Sequence, residues 1–224
     1  MDGMEETQKI VILGAGGTGL LIADSILRDP RSDLVGFLDD DAQKKGVGQG
    51  RFPVLGALSF WRALPAECHF ISSLYSPKSN VEFYLKIRSL GIPDGRWANV
   101  VDPSAIVSSS VVLGHGVYLG PVTVLEPNVS IGNWCAMLGR VYIAHDTCIG
   151  DYAACANSAS IAGGVRVGLC AFIGANATVR ECLQIGRHTV IGMGAVVIRD
   201  IPDGSIVVGN PSRIIGETAQ AELL

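Results

Sequence analysis

His145 stands directly before an aspartate in the string Tyr142-Ile143-Ala144-His145-Asp146-Thr147, and it is the first candidate for proton chemistry in the chain. An unperturbed imidazole titrates near 6.5, which suits a general base at neutral pH. Asp146 is placed to orient or electrostatically support the ring. Side chains adjacent along a strand diverge, so that pairing requires the backbone to turn between them.

A second candidate is the loop Gly14-Ala15-Gly16-Gly17-Thr18-Gly19, which follows the β-branched run Lys9–Leu13 and precedes a segment with helical spacing of Leu20, Ile22, Ala23, Ile26 and Leu27. Gly14, Gly16 and Gly19 fit a relaxed form of G-x-G-x-x-G, in which backbone N–H groups and a helix N-terminus receive a phosphate. About twenty residues further on, a second strand ends in Asp39-Asp40-Asp41, where a ribose-binding carboxylate is often placed. The alternative is a plain glycine turn beside a solvated acidic loop. A third string, Val207-Val208-Gly209-Asn210-Pro211-Ser212-Arg213, carries an arginine able to grip phosphate, or else forms a capping segment.

These groups need a scaffold, and the sequence supplies a strict one. From Val101 to Val197 every sixth residue is apolar, without exception over seventeen positions. An amphipathic helix repeats near 3.6 residues and an ordinary strand loses phase at its first loop, so this is the signature of a hexapeptide β-helix. Four residues beyond each of these positions stands another small or aliphatic residue, and glycine follows them at eight of sixteen places, which predicts short strands closed by glycine corners. Three strands make a triangular coil of eighteen residues, and about five and a half coils make a prism roughly 26 Å tall. Residues eighteen apart then stack: His145 on Gly163, and Asn157, Ala175 and Met193 in another column. The Gly163 N–H would be free to bind a carbonyl oxygen. His115, His145 and His188 fall on different coils, which argues against a three-histidine zinc site, and no metal is expected.

Before the repeat, two further strands are expected at Cys68–Leu74 and Arg96–Val101, with a helix from about Ser79 to Leu90. This is enough for one mononucleotide-binding half. The predicted organisation is a nucleotide-sugar-binding α/β unit over 1–100, the β-helix over 101–200 and a C-terminal cap over 201–224. A net charge of -4 without a Lys/Arg cluster argues against nucleic acid as a partner. No signal peptide is evident, and no apolar run approaches the roughly 18 residues needed to span a bilayer, so a cytoplasmic protein without a membrane partner is expected. The six cysteines show no C-x-x-C or zinc spacing and are read as reduced. Exposed flat faces predict a symmetric oligomer.

The strings KIVILGAGGTGL, VGFLDDD, FPVLG, DPSA, IAHDTCIGD, the unbroken hexads and VVGNPSRII together resemble the hexapeptide sugar acetyltransferases of the sialic-acid O-acetyltransferase and bacillosamine-type N-acetyltransferase group (PglD/NeuD-like). The resemblance covers residues 9 to 215. It implies a homotrimer of left-handed β-helices, each with a small Rossmann-like N-terminal domain that holds an NDP-amino sugar, and acetyl-CoA in the groove between two prisms. His145 would be the general base, Asp146 its acidic neighbour and Gly163 the amide facing the thioester carbonyl. Ala175 and Met193 would lie on the pantetheine path and Arg213 near the CoA phosphates. Gly14, Gly16, Gly17, Thr18, Asp39 and Asp40 would lie on the sugar-nucleotide side. The expected activity is N-acetylation of a 4-amino sugar for surface glycans, with O-acetylation and a non-catalytic nucleotide-sensing scaffold as alternatives. The chain departs from the group's pattern on the acceptor side: Thr18 replaces a histidine of the glycine loop, Met137 and Leu138 replace Asn-Thr, and Ala144 replaces a glutamate before the base.

Overall fold

The computed structural model describes residues 7–44, 48–49 and 52–219. The apolar run of β1 (Gln8–Leu13) is buried on both faces, as a central parallel strand requires. Its Ile10 and Ile12 pack beneath α1 (Gly17–Arg28), while Val11 and Leu13 face α2 (Asn80–Ser89). The remaining strands are β2 (Ser32–Leu38), β3 (Gly48–Gln49), β4 (Phe52–Gly56) and β5 (Cys68–Ser72), in the order β3-β4-β2-β1-β5. All pairings are parallel except β3 with β4.

Two expectations change here. Phe52–Gly56 is a strand paired to β2, although its terminal glycine reads as a turn signal; Pro53 lies near the sheet edge, against short β3, where a missing N–H is tolerated. Arg96–Val101 is not a continuous strand of this sheet; it meets β5 only through a parallel bridge between Trp97 and Phe70. Asp94–Arg96 is a 3-10 turn, and Val100–Val101 pairs with Tyr118–Leu119 in the first coil of the repeat.

From Val100–Val101 to Val196–Val197 the chain forms seventeen two-residue strands, each paired in parallel with strands eighteen residues away, in a left-handed β-helix. The first face holds Tyr118–Leu119, Ala136–Met137, Ala154–Cys155 and Phe172–Ile173. The second holds Val124–Leu125, Tyr142–Ile143, Ser160–Ile161 and Thr178–Val179, and the third Ser130–Ile131, Cys148–Ile149 and Arg166–Val167. The sixth-residue positions are buried from Leu119 to Val197. Val101, Val107 and Leu113 remain partly open because no coil lies beneath them. Inward polar groups are satisfied by turn carbonyls: the Thr123 and Thr147 hydroxyls donate to Leu138 O at 2.9 Å and Ala162 O at 3.1 Å.

The corners also differ from expectation. From Leu113 to Ile191 the left-handed backbone falls three residues after each inward position and is mostly not glycine: Trp134, Arg140, Asp146, Tyr152 and Ser158 have φ between 51° and 62°. The glycines that follow the inward residue answer to close approach instead. A Cβ on Gly168 would lie 2.6 Å from Arg187 N, and one on Gly150 3.0 Å from Gly168 C, so the next coil closes the space. The intervening amide, two residues past the inward position, lies outside the ladder, which is why Pro121 and Pro127 can occupy it.

The N-terminal unit sits on the first face. Tyr118, Ala136 and Ala154 share a core with Ile22, Ala23 and Ile26, and Tyr152 and Cys170 share another with Val81 and Tyr84. A buried carboxylate fastens the two parts. Asp102 accepts hydrogen bonds from the Ser25 hydroxyl at 2.7 Å, the Ser104 N–H at 3.0 Å and the Arg28 guanidinium. Burial pushes its pKa up, and these donors outweigh burial and bring it to about 2. At the other end Ser205–Val208 extends the first face and Arg213–Glu217 returns antiparallel beside it; residues 220–224 of the expected 201–224 segment lie outside the described residues.

Candidate active site

The edge between the second and third faces carries His145. Asp146, next in sequence, has φ 58°, and this left-handed turn swings its carboxylate alongside the ring instead of to the opposite side. The resulting Nδ1 to Oδ2 distance is 2.8 Å. Asn128, one coil below, donates to the other Asp146 oxygen at 3.0 Å. Asp146 holds the His145 pKa above its ordinary value, chiefly through this hydrogen bond, with a smaller contribution from the charge of Glu126. With the Nδ1 hydrogen committed to Asp146, the Nε2 lone pair is the one that can take a proton.

Gly163 stacks directly above. A Cβ there would lie 2.9 Å from both Cε1 and Nε2 of His145, so the ring occupies the space a side chain would need. Some amides at this corner position are taken by side chains of the next coil, as Asn133 N is by Asp151 Oδ1 at 2.8 Å and Arg187 N by Asp203 Oδ1 at 2.7 Å. Among the described residues no such acceptor meets the Gly163 N–H. A base nitrogen and an uncommitted amide therefore stand side by side, the arrangement that acyl transfer requires.

The glycine loop lines a separate cavity of about 400 Å³ at the N-terminus of α1. Gly14 (φ 103°) is crowded by Ser73 and Leu74, whereas Gly16 and Gly17 face open space. Both acidic residues expected to meet substrate are engaged within the protein. Asp39 accepts from Ala15 N at 2.7 Å and Lys44 Nζ at 3.0 Å, and so shapes the loop. Asp40 accepts from Leu58 N at 2.8 Å and pairs with Lys86 at 2.6 Å. Burial raises both carboxyl pKa values and these donors lower them further, leaving both below the ordinary range. Lys44 and Lys86 line the cavity, and sequence reading missed them because neither belongs to a recognisable motif. A smaller apolar cavity of about 120 Å³ adjoins it, where Thr18 and Tyr75 meet Leu138, Ala156 and Phe172 of the first face.

Ala175 and exposed Met193 stand on the edge between the first and second faces. Leu138 opens the turn into that same edge. Arg213 is exposed on the C-terminal strand of the first face. Ala144 is 7% exposed and lies above Glu126. Within one chain the predicted residues thus fall into two groups. His145, Asp146, Ala144 and Gly163 occupy the edge opposite the first face, while the glycine loop, Leu138, Ala175, Met193 and Arg213 gather at or beside that face. His115 and His188 stand on a third edge, apart from His145.

Two side chains at the His145 corner were not singled out from sequence. Glu126 accepts a hydrogen bond from the His145 N–H at 3.0 Å and another from the Tyr142 hydroxyl. The eighteen-residue stacking would have placed Glu126 directly beneath Ala144, but its position is one usually filled by glycine.

Residues 9–78 match the PglD N-terminal domain family. No curated protein sequence matches the chain. Among solved structures, the acetyltransferase domain of PglB from Neisseria gonorrhoeae in complex with acetyl coenzyme A is similar at 25% identity and a TM-score of 0.83, over 93% of this chain and 100% of that one. A variant of perosamine N-acetyltransferase from Caulobacter crescentus, in complex with CoA and GDP-perosamine, is similar at 28% identity and a TM-score of 0.82, over 93% of this chain and 97% of that one. WeeI from Acinetobacter baumannii shares 29% identity with a TM-score of 0.78, over 93% of this chain and 100% of that one.

Proposed function

We propose that this protein is an acetyl-CoA-dependent N-acetyltransferase acting on the 4-amino group of a nucleotide-linked amino sugar, in the cytoplasmic supply of surface glycans. The observation that carries this reading is the His145 ring, tied to Asp146 and lying against Gly163, whose N–H has no acceptor among the described residues. Similarity to enzymes crystallised with acetyl-CoA, or with CoA and GDP-perosamine, supports the acyl donor and the acceptor class.

His145 Nε2 takes a proton from the amine as its nitrogen attacks the thioester carbonyl carbon. The Gly163 N–H stabilises the oxyanion that develops on the carbonyl oxygen. The C–N bond forms, the C–S bond breaks, and the sulfur leaves as the CoA thiol after receiving a proton. Asp146 keeps the ring in the required tautomer and supports its positive charge. Ionised Asp146 and Glu126 also flank the site, both with pKa values below the ordinary carboxylate range. That charge favours binding of an acceptor that arrives as an ammonium group, which releases one proton to solvent to become the attacking amine, over a neutral hydroxyl, and so favours N- over O-acetylation.

The glycine-loop cavity suits the nucleotide: Gly16 and Gly17 leave room for a phosphate at the N-terminus of α1, with Lys44 and Lys86 as cations. Because His145 lies on the edge opposite the N-terminal unit, this cavity must meet the His145 of another copy. We therefore place the site between prisms of a homotrimer, with Ala175, Met193 and Arg213 of one copy facing His145 and Gly163 of the next along the CoA. The test is thiol release from acetyl-CoA with UDP-, GDP- and dTDP-linked 4-amino sugars and their 4-hydroxy counterparts. Turnover confined to amino acceptors is expected, and absence of turnover with every acceptor would sink the reading.

A further inference from the structure

We infer that Glu126 is a positioning residue for the reaction, holding the base from the coil below through the His145 main-chain N–H and the Tyr142 phenol. The inference rests on the reading of His145 as the base. It begins from the amides at the corners, which the ladder leaves unpaired. Where a corner amide does find a side-chain acceptor, it otherwise comes from the coil above, as Asn133 Oδ1 serves His115 N at 3.1 Å and Asp151 Oδ1 serves Asn133 N at 2.8 Å. Above His145 stands Gly163, which has no side chain. The acceptor is supplied from below instead, by Glu126 Oε2 at 3.0 Å.

The other carboxylate oxygen takes the Tyr142 hydroxyl, so one side chain grips both ends of the segment that precedes the base. Tyr142 lowers the Glu126 pKa first and the His145 N–H second, so the carboxylate is ionised. The same contact raises the phenol pKa, so Tyr142 remains the donor. Glu126 also occupies a hexad position where eight of sixteen residues are glycine, and it stacks beneath Ala144, where the chain carries no carboxylate of its own. Asp146 and Glu126 are the charged groups that act on the imidazole among the described residues.

Steady-state kinetics of Glu126→Ala and Glu126→Gln, each checked for an unchanged thermal midpoint, separate this role from a structural one. Glu126→Ala should lower kcat at least tenfold while KM for acetyl-CoA stays within twofold, and should move the acid limb of kcat/KM to lower pH. Glu126→Gln keeps a main-chain acceptor but loses the charge, so it should recover most of kcat and keep the displaced limb. Wild-type kcat and an unmoved limb in both variants would overturn the inference while leaving His145 as the base. If no acceptor turns over at all, NMR titration of the His145 ring still decides the matter: its pKa falls in both variants if Glu126 acts on it and is unchanged if it does not.

Discussion

At the scale of single residues, the account rests on contacts that substitutions can address one at a time. His145→Ala removes the base and should lower kcat/KM about 10² to 10⁴-fold, measured by thiol release. Gly163→Ala leaves the base in place but adds a methyl 2.9 Å from two ring atoms. The ring must shift, and a misplacement of that order costs about 10²-fold in rate. The pH profile gives an independent check. A base must be neutral to act, and the Asp146 carboxylate raises the His145 pKa, so activity should fall on acidification through a pKa above the ordinary histidine value. Asp146→Asn should move that limb to lower pH, and an unmoved limb would remove Asp146 from the account.

At the scale of elements, the six-residue period made the prism and the stacking of His145 on Gly163 legible from sequence, because each inward position repeats one burial requirement. The reason for the glycines was not legible. Composition suggests a need for positive φ, whereas Asp146, Trp134 and Tyr152 adopt that conformation and the glycines make room for the coil above. Gly168→Ala should therefore destabilise the fold by about 1 to 3 kcal/mol through overpacking, read from urea unfolding. Strand β4 escaped the sequence reading because its pairing with β2 depends on tertiary contact and its terminal Gly56 reads as a turn. The Asp39 carboxylate lines the cavity, and spacing could not show that it also holds the Ala15 N–H. Glu126 was hidden for a similar reason, since its partners lie sixteen and nineteen residues away on the next coil.

At the scale of the whole molecule, two features govern how the parts work together. The first is the Asp102 clamp between α1 and the first coil. Asp102→Ala leaves the Ser25, Ser104 and Arg28 donors without their acceptor and should cost about 2 to 4 kcal/mol, read from chemical denaturation. Its folded pKa of about 2 lies below the ordinary 3.8, so its contribution is complete above about pH 4 and is lost as pH falls toward 2. The second is the separation of the glycine-loop cavity and His145 on opposite sides of one prism, which under the proposed function requires a second copy. Light scattering should report a trimer. Mixed trimers of His145→Ala with a variant blocked at Gly16 should regain part of the activity that each parent lacks. The central claim is that His145, as general base, promotes direct acetyl transfer from CoA to the amine of a nucleotide-linked sugar, and its most direct test is mass-spectrometric product analysis for the wild type and His145→Ala. The account predicts an N-acetylated nucleotide sugar that forms with the wild type and falls at least 10²-fold with the variant; equal product from both, or product from neither with any amino acceptor, would contradict it.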